Sequence, residues 1–215
     1  MKIYLIRHAQ VSSNLKEINF NDERDISLTR KGRTQAKKLA KRLIKFRIDE
    51  VFISENKRAH QTVLPLLKLK PVPLKKDPRL NEANFGIFRG LTLKEAEGKY
   101  PKIYQARLKD KWNYRIPQGE SFKDVAGRLN SFLKDLKKIA IKAELKNVLI
   151  VTHATILKIF LTKYLKFSLK KSDLIHFENT SLSIFELKNK KIRPIIINDF
   201  SHLNKNGSFK SKRIY

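Results

Sequence analysis

Two short runs of the chain are apolar at every position rather than at every second one. The first run, Ile3–Ile6, is followed directly by Arg7 and His8, and the second run, Val148–Val151, is followed two positions later by His153. An uninterrupted apolar run of this length is typical of a strand that is buried on both faces. The two runs therefore predict an α/β fold in which both strands lie inside the sheet.

The residues that follow the predicted strands carry chemistry. In open α/β sheets, ligands bind just beyond the carboxyl ends of the parallel strands. His8 and His153 both occupy that kind of position, and a third apolar run, Val51–Ile53, leads into Arg58. With Arg7 included, we expect two imidazoles and two guanidinium groups to meet at one edge of the sheet.

These side chains suit a phosphate group. Arginine offers a rigid fork of donors that matches phosphate oxygens, and neutral imidazole is a nucleophile near pH 7. We assign the nucleophile to His8 and expect His153 to donate a hydrogen bond to the phosphate. The backbone amides of Ala154 and Thr155, at the start of a predicted helix, would add further donors to the same anion site.

Six segments in one order carry a resemblance to a known family. They are Arg7-His8-Ala9-Gln10 with Asn14; Leu28-Thr29 with Gly32 and Gln35-Ala36; Ser54 with Arg58-Ala59 and Thr62; Leu80 and Glu82 with Gly86 and Gly90; Gly119-Glu120-Ser121 with Arg128; and Val151-Thr152-His153. This series resembles the motifs of the histidine phosphatase superfamily, the phosphoglycerate-mutase-like enzymes. The resemblance implies a three-layer α/β/α sandwich with a mostly parallel central sheet.

The resemblance also implies roles for single residues. His8 would be phosphorylated, and Arg7, Arg58 and His153 would form the phosphate pocket. Glu82 would protonate the leaving oxygen and then deprotonate the attacking water. That role requires burial to raise the pKa of Glu82 against the nearby cations.

The same resemblance implies a set of substrate-binding residues. Some of these residues match a family motif, and others stand where the family has a different residue. The set is Asn14, Asn21, Ala154, Thr155 and His202. His202 belongs to an Asn-Asp-x-x-His-Leu ending that resembles that of small phosphatases in the family. Two departures from the family pattern, Val11 in place of threonine and Arg89 in place of glutamate, would change the phosphate contacts and the charge at the entrance.

Composition limits the protein class. The chain has 215 residues, of which 41% are hydrophobic, and no break in composition divides it. We expect one domain over residues 1–203 and a basic C-terminal tail over residues 204–215. The lack of cysteine and of a signal peptide favours the cytoplasm, and no apolar stretch approaches the roughly 18 residues that a membrane span needs.

The net charge of +28 invites a nucleic-acid interpretation. The lysines, however, are spread over helix faces and loops, as in Lys37-Lys38, Lys137-Lys138 and Lys170-Lys171. We therefore favour a solvated, lysine-rich surface without a specific nucleic-acid partner. Neither a metal-ligand spacing nor a phosphate-binding glycine loop occurs, so we expect neither a metal nor another cofactor.

The sequence as a whole predicts a metal-independent phosphomonoesterase that acts on a small phosphorylated metabolite through a phosphohistidine at His8. Residues 90–118 form a shorter segment than in the cofactor-dependent phosphoglycerate mutases that the chain resembles, which favours a phosphatase. A mutase or phosphotransferase of the same fold stays open, as does a catalytically silent, basic nucleic-acid-binding protein. The identity of the substrate and the occurrence of a homodimer are also left open.

Overall fold

A computed structural model describes residues 1–16, 18–20, 26–189 and 191–204. The strands are β1 (Lys2–Arg7), β2 (Glu50–Ile53), β3 (Leu74–Lys76), β4 (Asn147–Thr152), β5 (Leu182–Lys188) and β6 (Lys191–Asp199). The helices are α1 (Ser12–Leu15), α2 (Arg30–Leu43), α3 (Lys57–Leu69), α4 (Leu93–Lys99), α5 (Pro101–Lys109), α6 (Phe122–Lys142), α7 (Ala154–Tyr164) and α8 (Leu169–Asp173). Asn21, predicted to bind substrate, lies outside the described residues.

The six strands form one sheet in the order β3-β2-β4-β1-β5-β6. The first four are mutually parallel, whereas β5 runs antiparallel to β1, and β6 runs antiparallel to β5. The sheet is therefore mostly parallel, as predicted. β1 and β4 lie side by side at its centre, and the helices that follow them cover opposite faces, so a crevice opens at their carboxyl ends.

Successive residues of β1 point into two separate cores. Ile3 and Leu5 pack with α6 and α7 on one face, and Tyr4 and Ile6 pack with α2 and α3 on the other. Because all four side chains are at most 4% exposed, the strand is buried on both faces. The uninterrupted apolar run therefore has the predicted cause, and the three-layer architecture is confirmed.

The long helix α6 begins where the sequence provides a cap. The Ser121 hydroxyl accepts a hydrogen bond from the Asp124 amide, and the Asp124 carboxylate accepts one from the Ser121 amide. One face of the helix is buried from Phe122 to Ala140. No helix among the described residues is both long and apolar enough to span a membrane.

Candidate active site

His8 and His153 meet because of the register between the two central strands. β1 and β4 are parallel, and Arg7 pairs with Thr152, so His8 and His153 are the next residues at the carboxyl ends. Their ring centroids lie 5.1 Å apart, and the side chains are buried. The structure thus brings together the two histidines that the strand ends predicted.

The hydrogen bonding of His8 fixes which ring nitrogen faces the site. Nδ1 lies 2.8 Å from the Ala9 carbonyl oxygen, which can only accept a hydrogen bond, so Nδ1 carries the proton. Burial lowers the pKa of His8 well below its usual value, and the charges of Arg58 and Arg7 lower it further. His8 is therefore neutral at pH 7, and the lone pair on Nε2 is available for attack.

His153 can donate a hydrogen bond from Nδ1 in one of its two neutral tautomers. Its Nε2 lies 2.8 Å from the Ser54 hydroxyl, while its buried Nδ1 has no hydrogen-bond partner in the part of the chain that is described. Burial, followed by the charge of Arg58, lowers the pKa of His153 well below its usual value. When the Ser54 hydroxyl donates to Nε2, the neutral ring carries its proton on Nδ1, where it can meet a phosphate oxygen.

Two arginines contribute positive charge beside the imidazoles. Arg58, on α3, is 1% exposed, and its charge lowers the pKa of both histidines, so it lies close to them. Arg7 donates a hydrogen bond to the Phe177 carbonyl through one terminal nitrogen, and its buried Nε has no partner among the described residues. Buried cations of this kind stabilise an incoming dianion, because little solvent screens them.

Glu82 lies near the two arginines, and its pKa is raised, as an acid catalyst requires. Burial raises the pKa, although the Ala83 amide, the Arg58 charge and hydrogen bonds from Thr155 oppose that change. The amide of Ala83 donates to Oε1 at 2.9 Å. The start of α7 thus contacts the Glu82 carboxyl through Thr155, a contact that the sequence analysis did not foresee.

The loop that carries Glu82 is held by Arg128 on α6. Its Nη1 group donates to the carbonyls of Arg79 and Asn81 at 2.7 and 2.8 Å, and its Nη2 group donates to the carbonyl of Glu82 at 3.1 Å. Nε and Nη2 also form a bidentate pair with Glu120. Arg128 therefore acts on the site through the backbone of this loop.

A close approach of backbones explains why glycines flank the loop. A Cβ atom on Gly119 would lie 2.6 Å from the Asn84 carbonyl oxygen, and one on Gly86 would lie 2.0 Å from the Pro117 carbonyl oxygen. Gly86 also has a φ of +51°, which L side chains rarely adopt. Larger residues at either position would push the Glu82 loop away from residues 117–119, which precede α6.

Arg7, His8 and Glu82 line a cavity of about 1000 Å³, as do Asn14, Ala154 and Thr155. The buried side chains of His153 and Arg58 are not among its lining residues. The Asn14 Oδ1 accepts a hydrogen bond from the Val11 amide at 3.0 Å, which leaves its Nδ2 amide as the donor for a ligand. Val11 itself is fully buried in a small apolar cluster. A valine in place of threonine at this position therefore changes the packing of that cluster.

The far wall of the cavity is basic. Arg107 lies between the rings of Phe20 and Phe122, with its guanidinium carbon 5.5 and 5.3 Å from their centroids. Within the described residues no carboxylate forms an ion pair with it. Lys111 and Lys158 share the carboxylate of Asp173 at 2.8 and 3.3 Å. Sequence reasoning missed this wall because its residues come from α5, the loop that follows it, α7 and α8, and they follow no motif.

His202, a predicted substrate-binding residue, and Arg89, predicted to change the charge at the entrance, lie elsewhere. His202 is not among the residues that line the cavity, and it contacts Thr180 and Arg42 instead. Arg89 is exposed and does not line the cavity either. In the described ranges, no group of three or more His, Asp or Glu side chains is arranged to hold a metal ion.

Comparisons with known proteins agree with this arrangement. The family model of the histidine phosphatase superfamily, branch 1, matches residues 3–199. Phosphoserine phosphatase 1 of Hydrogenobacter thermophilus is 25% identical, with 94% of each chain covered. Human 6-phosphofructo-2-kinase/fructose-2,6-bisphosphatase 4 is 32% identical over 165 residues, which are 76% of this chain and 32% of that protein.

A solved structure supports the same assignment. The protein YhfR of Bacillus stearothermophilus superposes with a TM-score of 0.82 at 27% identity, over 94% of this chain and 99% of that one. The family match spans the predicted nucleophile, both arginines, Glu82 and His153. The chain belongs to branch 1 of the histidine phosphatase superfamily and is a phosphoric monoester hydrolase of that family.

Proposed function

We propose that this protein hydrolyses small phosphate monoesters without a metal ion, through a phosphohistidine on Nε2 of His8. The observation that carries the proposal is the neutral His8 ring, with Nδ1–H bonded to a carbonyl and Nε2 directed to a site beside His153 and two arginines. A nucleophile, donors and cations grouped at one site suit phosphoryl transfer.

In the first step, Nε2 of His8 attacks phosphorus, and the bond from phosphorus to the ester oxygen breaks. Glu82 gives its proton to that oxygen, so the alcohol leaves neutral. Arg7, Arg58 and the Nδ1–H of His153 hold the equatorial oxygens. In the second step, the Glu82 carboxylate takes a proton from water, the resulting hydroxide attacks phosphorus, and the N–P bond breaks to release inorganic phosphate.

The test is phosphate release from p-nitrophenyl phosphate and from metabolite phosphates, in excess chelator, by the wild-type protein and by His8→Ala. We expect turnover that survives the chelator and is lost in the variant by at least about 10³-fold. Equal release from both proteins would refute the proposal. Measuring isomerised products beside free phosphate separates hydrolysis from mutase activity.

We infer further that the substrate carries a second anionic group. Arg107, Lys94, Lys111 and Lys158 line the cavity, and among the described lining residues Asp173 is the one carboxylate besides the proposed acid, Glu82. Desolvated guanidinium groups bind carboxylates and phosphates strongly. The names of two relatives agree, because phosphoserine carries a carboxylate and fructose 2,6-bisphosphate carries a second phosphate.

Matched substrates test this inference. Phosphoserine and phosphoethanolamine share the phosphate and the amine, and only phosphoserine has a carboxylate. In a second pair, 3-phosphoglycerate has a carboxylate where glycerol 3-phosphate has a hydroxymethyl group. We expect kcat/KM to be about 10- to 100-fold higher for the partner with the carboxylate. Equal values for both members of each pair would show that the basic wall does not select a second anion.

A further inference from the structure

The loop between α8 and β5 contacts the two residues at the end of β1. We call residues 177–180 the clamp loop. Arg7 donates from its guanidinium to the Phe177 carbonyl, and the Asn179 Nδ2 group donates to the His8 carbonyl at 2.9 Å. The Thr180 amide donates to the Arg7 carbonyl at 3.0 Å and approaches the His8 carbonyl at 3.4 Å. The clamp loop therefore holds the backbone of the nucleophile.

The clamp loop needs an external restraint because of Thr180. This residue is fully buried and has a φ of +62°, a conformation that a β-branched residue rarely adopts. Such a backbone persists only when the surrounding structure holds it. The Thr180 hydroxyl donates to the Asn179 carbonyl at 2.6 Å, so its proton is already committed.

His202 supplies the restraint. Its Nε2 lies 3.1 Å from the Thr180 hydroxyl oxygen, which can only accept there, so Nε2 carries the proton. The ring is then an acceptor at Nδ1, and Arg42 donates to that atom at 3.4 Å. Each hydrogen bond requires the same neutral tautomer, so the contacts are mutually consistent.

The rest of the C-terminal motif holds the same loop. Asn198 accepts a hydrogen bond from the Glu178 amide at 2.9 Å and donates one to the His176 carbonyl at 2.8 Å. Asp199 forms an ion pair with Arg42, the residue that contacts His202. The Asn-Asp-x-x-His segment thus braces the clamp loop from outside the cavity.

We propose that His202 is a positioning residue for His8. Through the Thr180 hydroxyl it fixes the clamp loop, which in turn fixes the backbone of Arg7 and His8 in the orientation for in-line attack. The proposal rests on the proposed role of His8 as nucleophile. A small displacement of a nucleophile lowers the rate of attack far more than it lowers the affinity for phosphate.

The test compares His202→Ala with His202→Gln, whose amide can still donate to Thr180 and accept from Arg42. In a second pair, Thr180→Val removes the hydroxyl and Thr180→Ser keeps it. Thr180→Val also keeps the β-branch of the side chain. This pair tests the same hydrogen bond if His202→Ala does not fold. Asp49→Asn is the control, because Asp49 accepts from the Lys146 and Asn147 amides at the opposite end of the sheet.

Three quantities are measured for each variant: kcat/KM with p-nitrophenyl phosphate, the inhibition constant of inorganic phosphate, and that of orthovanadate. In His202→Ala and Thr180→Val we expect kcat/KM to fall about 10- to 100-fold. The inhibition constant of vanadate should rise by a similar factor, since vanadate mimics the transition state. Phosphate inhibition should change less than about threefold. His202→Gln, Thr180→Ser and Asp49→Asn should stay within about threefold of wild type.

The outcomes separate this inference from the proposed function. If wild type has no turnover, or if His8→Ala keeps it, the proposed function fails first. If that function holds but His202→Ala and Thr180→Val stay within about twofold of wild type, the positioning role is refuted. An equal loss in Asp49→Asn would likewise refute it, because general destabilisation would then explain the effect.

Discussion

The near and far walls of the cavity are built differently. The near wall is formed at His8, which lines the cavity, with His153 and Arg58 buried close to it at the end of a parallel strand and just inside a helix; all three are at most 5% exposed. The far wall holds Arg107, Lys111 and Lys158 on helices α5 and α7 and the adjoining loop, and its lysines are partly exposed. From this contrast we propose that residues at the sheet edge carry out the chemistry, whereas residues of the helical connections select the substrate.

Replacing Glu82 should give the largest effect of the variants that test this contrast, because Glu82 acts on the near wall. In Glu82→Gln, kcat/KM for phosphoserine should fall about 10²- to 10⁴-fold, since an alkoxide leaving group needs a proton. With p-nitrophenyl phosphate the loss should be much smaller, because nitrophenolate leaves readily without one. Similar losses for both substrates would contradict the role of Glu82 as the acid.

The pH profile sharpens the same prediction. The raised pKa of Glu82 means that the carboxyl is protonated below that pKa and ionised above it. For wild type, kcat/KM with phosphoserine should therefore fall as the pH rises through the raised pKa. That alkaline limb should be absent in Glu82→Gln, and a limb that persists there would assign the titration to another group.

Replacing Arg107 tests the far wall alone. In Arg107→Leu we expect kcat/KM for phosphoserine to fall about 10- to 100-fold, because the carboxylate loses its guanidinium partner. Phosphoethanolamine and p-nitrophenyl phosphate should change less than about threefold, since neither has that carboxylate. An equal loss for all three substrates would show that Arg107 supports the near wall or the fold instead.

Replacing Arg128 tests whether the position of the Glu82 loop depends on the hydrogen bonds from this arginine. Arg128→Lys keeps the charge but loses the fork that holds three carbonyls and Glu120, so kcat/KM for phosphoserine should fall about tenfold. Arg115→Lys is the matched control, because Arg115 is exposed and its one ion pair within the described part of the chain is with Asp124. Equal activity of the two variants would mean that the Glu82 loop holds its own position.

The smallest effect concerns stability. Burial, followed by the charge of Arg42, lowers the pKa of His202 from 6.5 to about 4. Between these values the unfolded chain binds a proton at His202 and the folded chain does not, so stability falls as the pH drops from 6.5 towards 4. Urea midpoints should fall less steeply over that range in His202→Gln, and identical slopes would contradict the lowered pKa.

The sequence predicts the near wall well because each of its parts follows from local pattern. Uninterrupted apolar runs indicate strands buried on both faces, and parallel neighbours align their carboxyl ends, which brings His8 to His153. Glu82 came from the family motif alone, since a single glutamate in a loop has no local signature. Its raised pKa depends on burial, which only the folded structure reveals.

The far wall and the clamp loop could not be predicted in the same way. Arg107 lies in a segment whose aromatic neighbours read as packing residues, and its role depends on Phe20 from a distant part of the chain. The sequence predicts that His202 lines the cavity, but in the structure it contacts the Thr180 hydroxyl instead. Its proposed effect on His8 is therefore indirect. The positive φ of Thr180 could not be predicted, because threonine is not a residue type that favours this conformation.

The most direct test of the central claim is to trap the phosphoenzyme. Wild type and His8→Ala are mixed with ³²P-labelled phosphoserine in excess chelator, quenched in base, which preserves phosphohistidine, and digested for peptide mapping. The account predicts label on the peptide that contains His8 in wild type and no label in the variant. Turnover by wild type without label at His8, or turnover by His8→Ala at the wild-type rate, would contradict it.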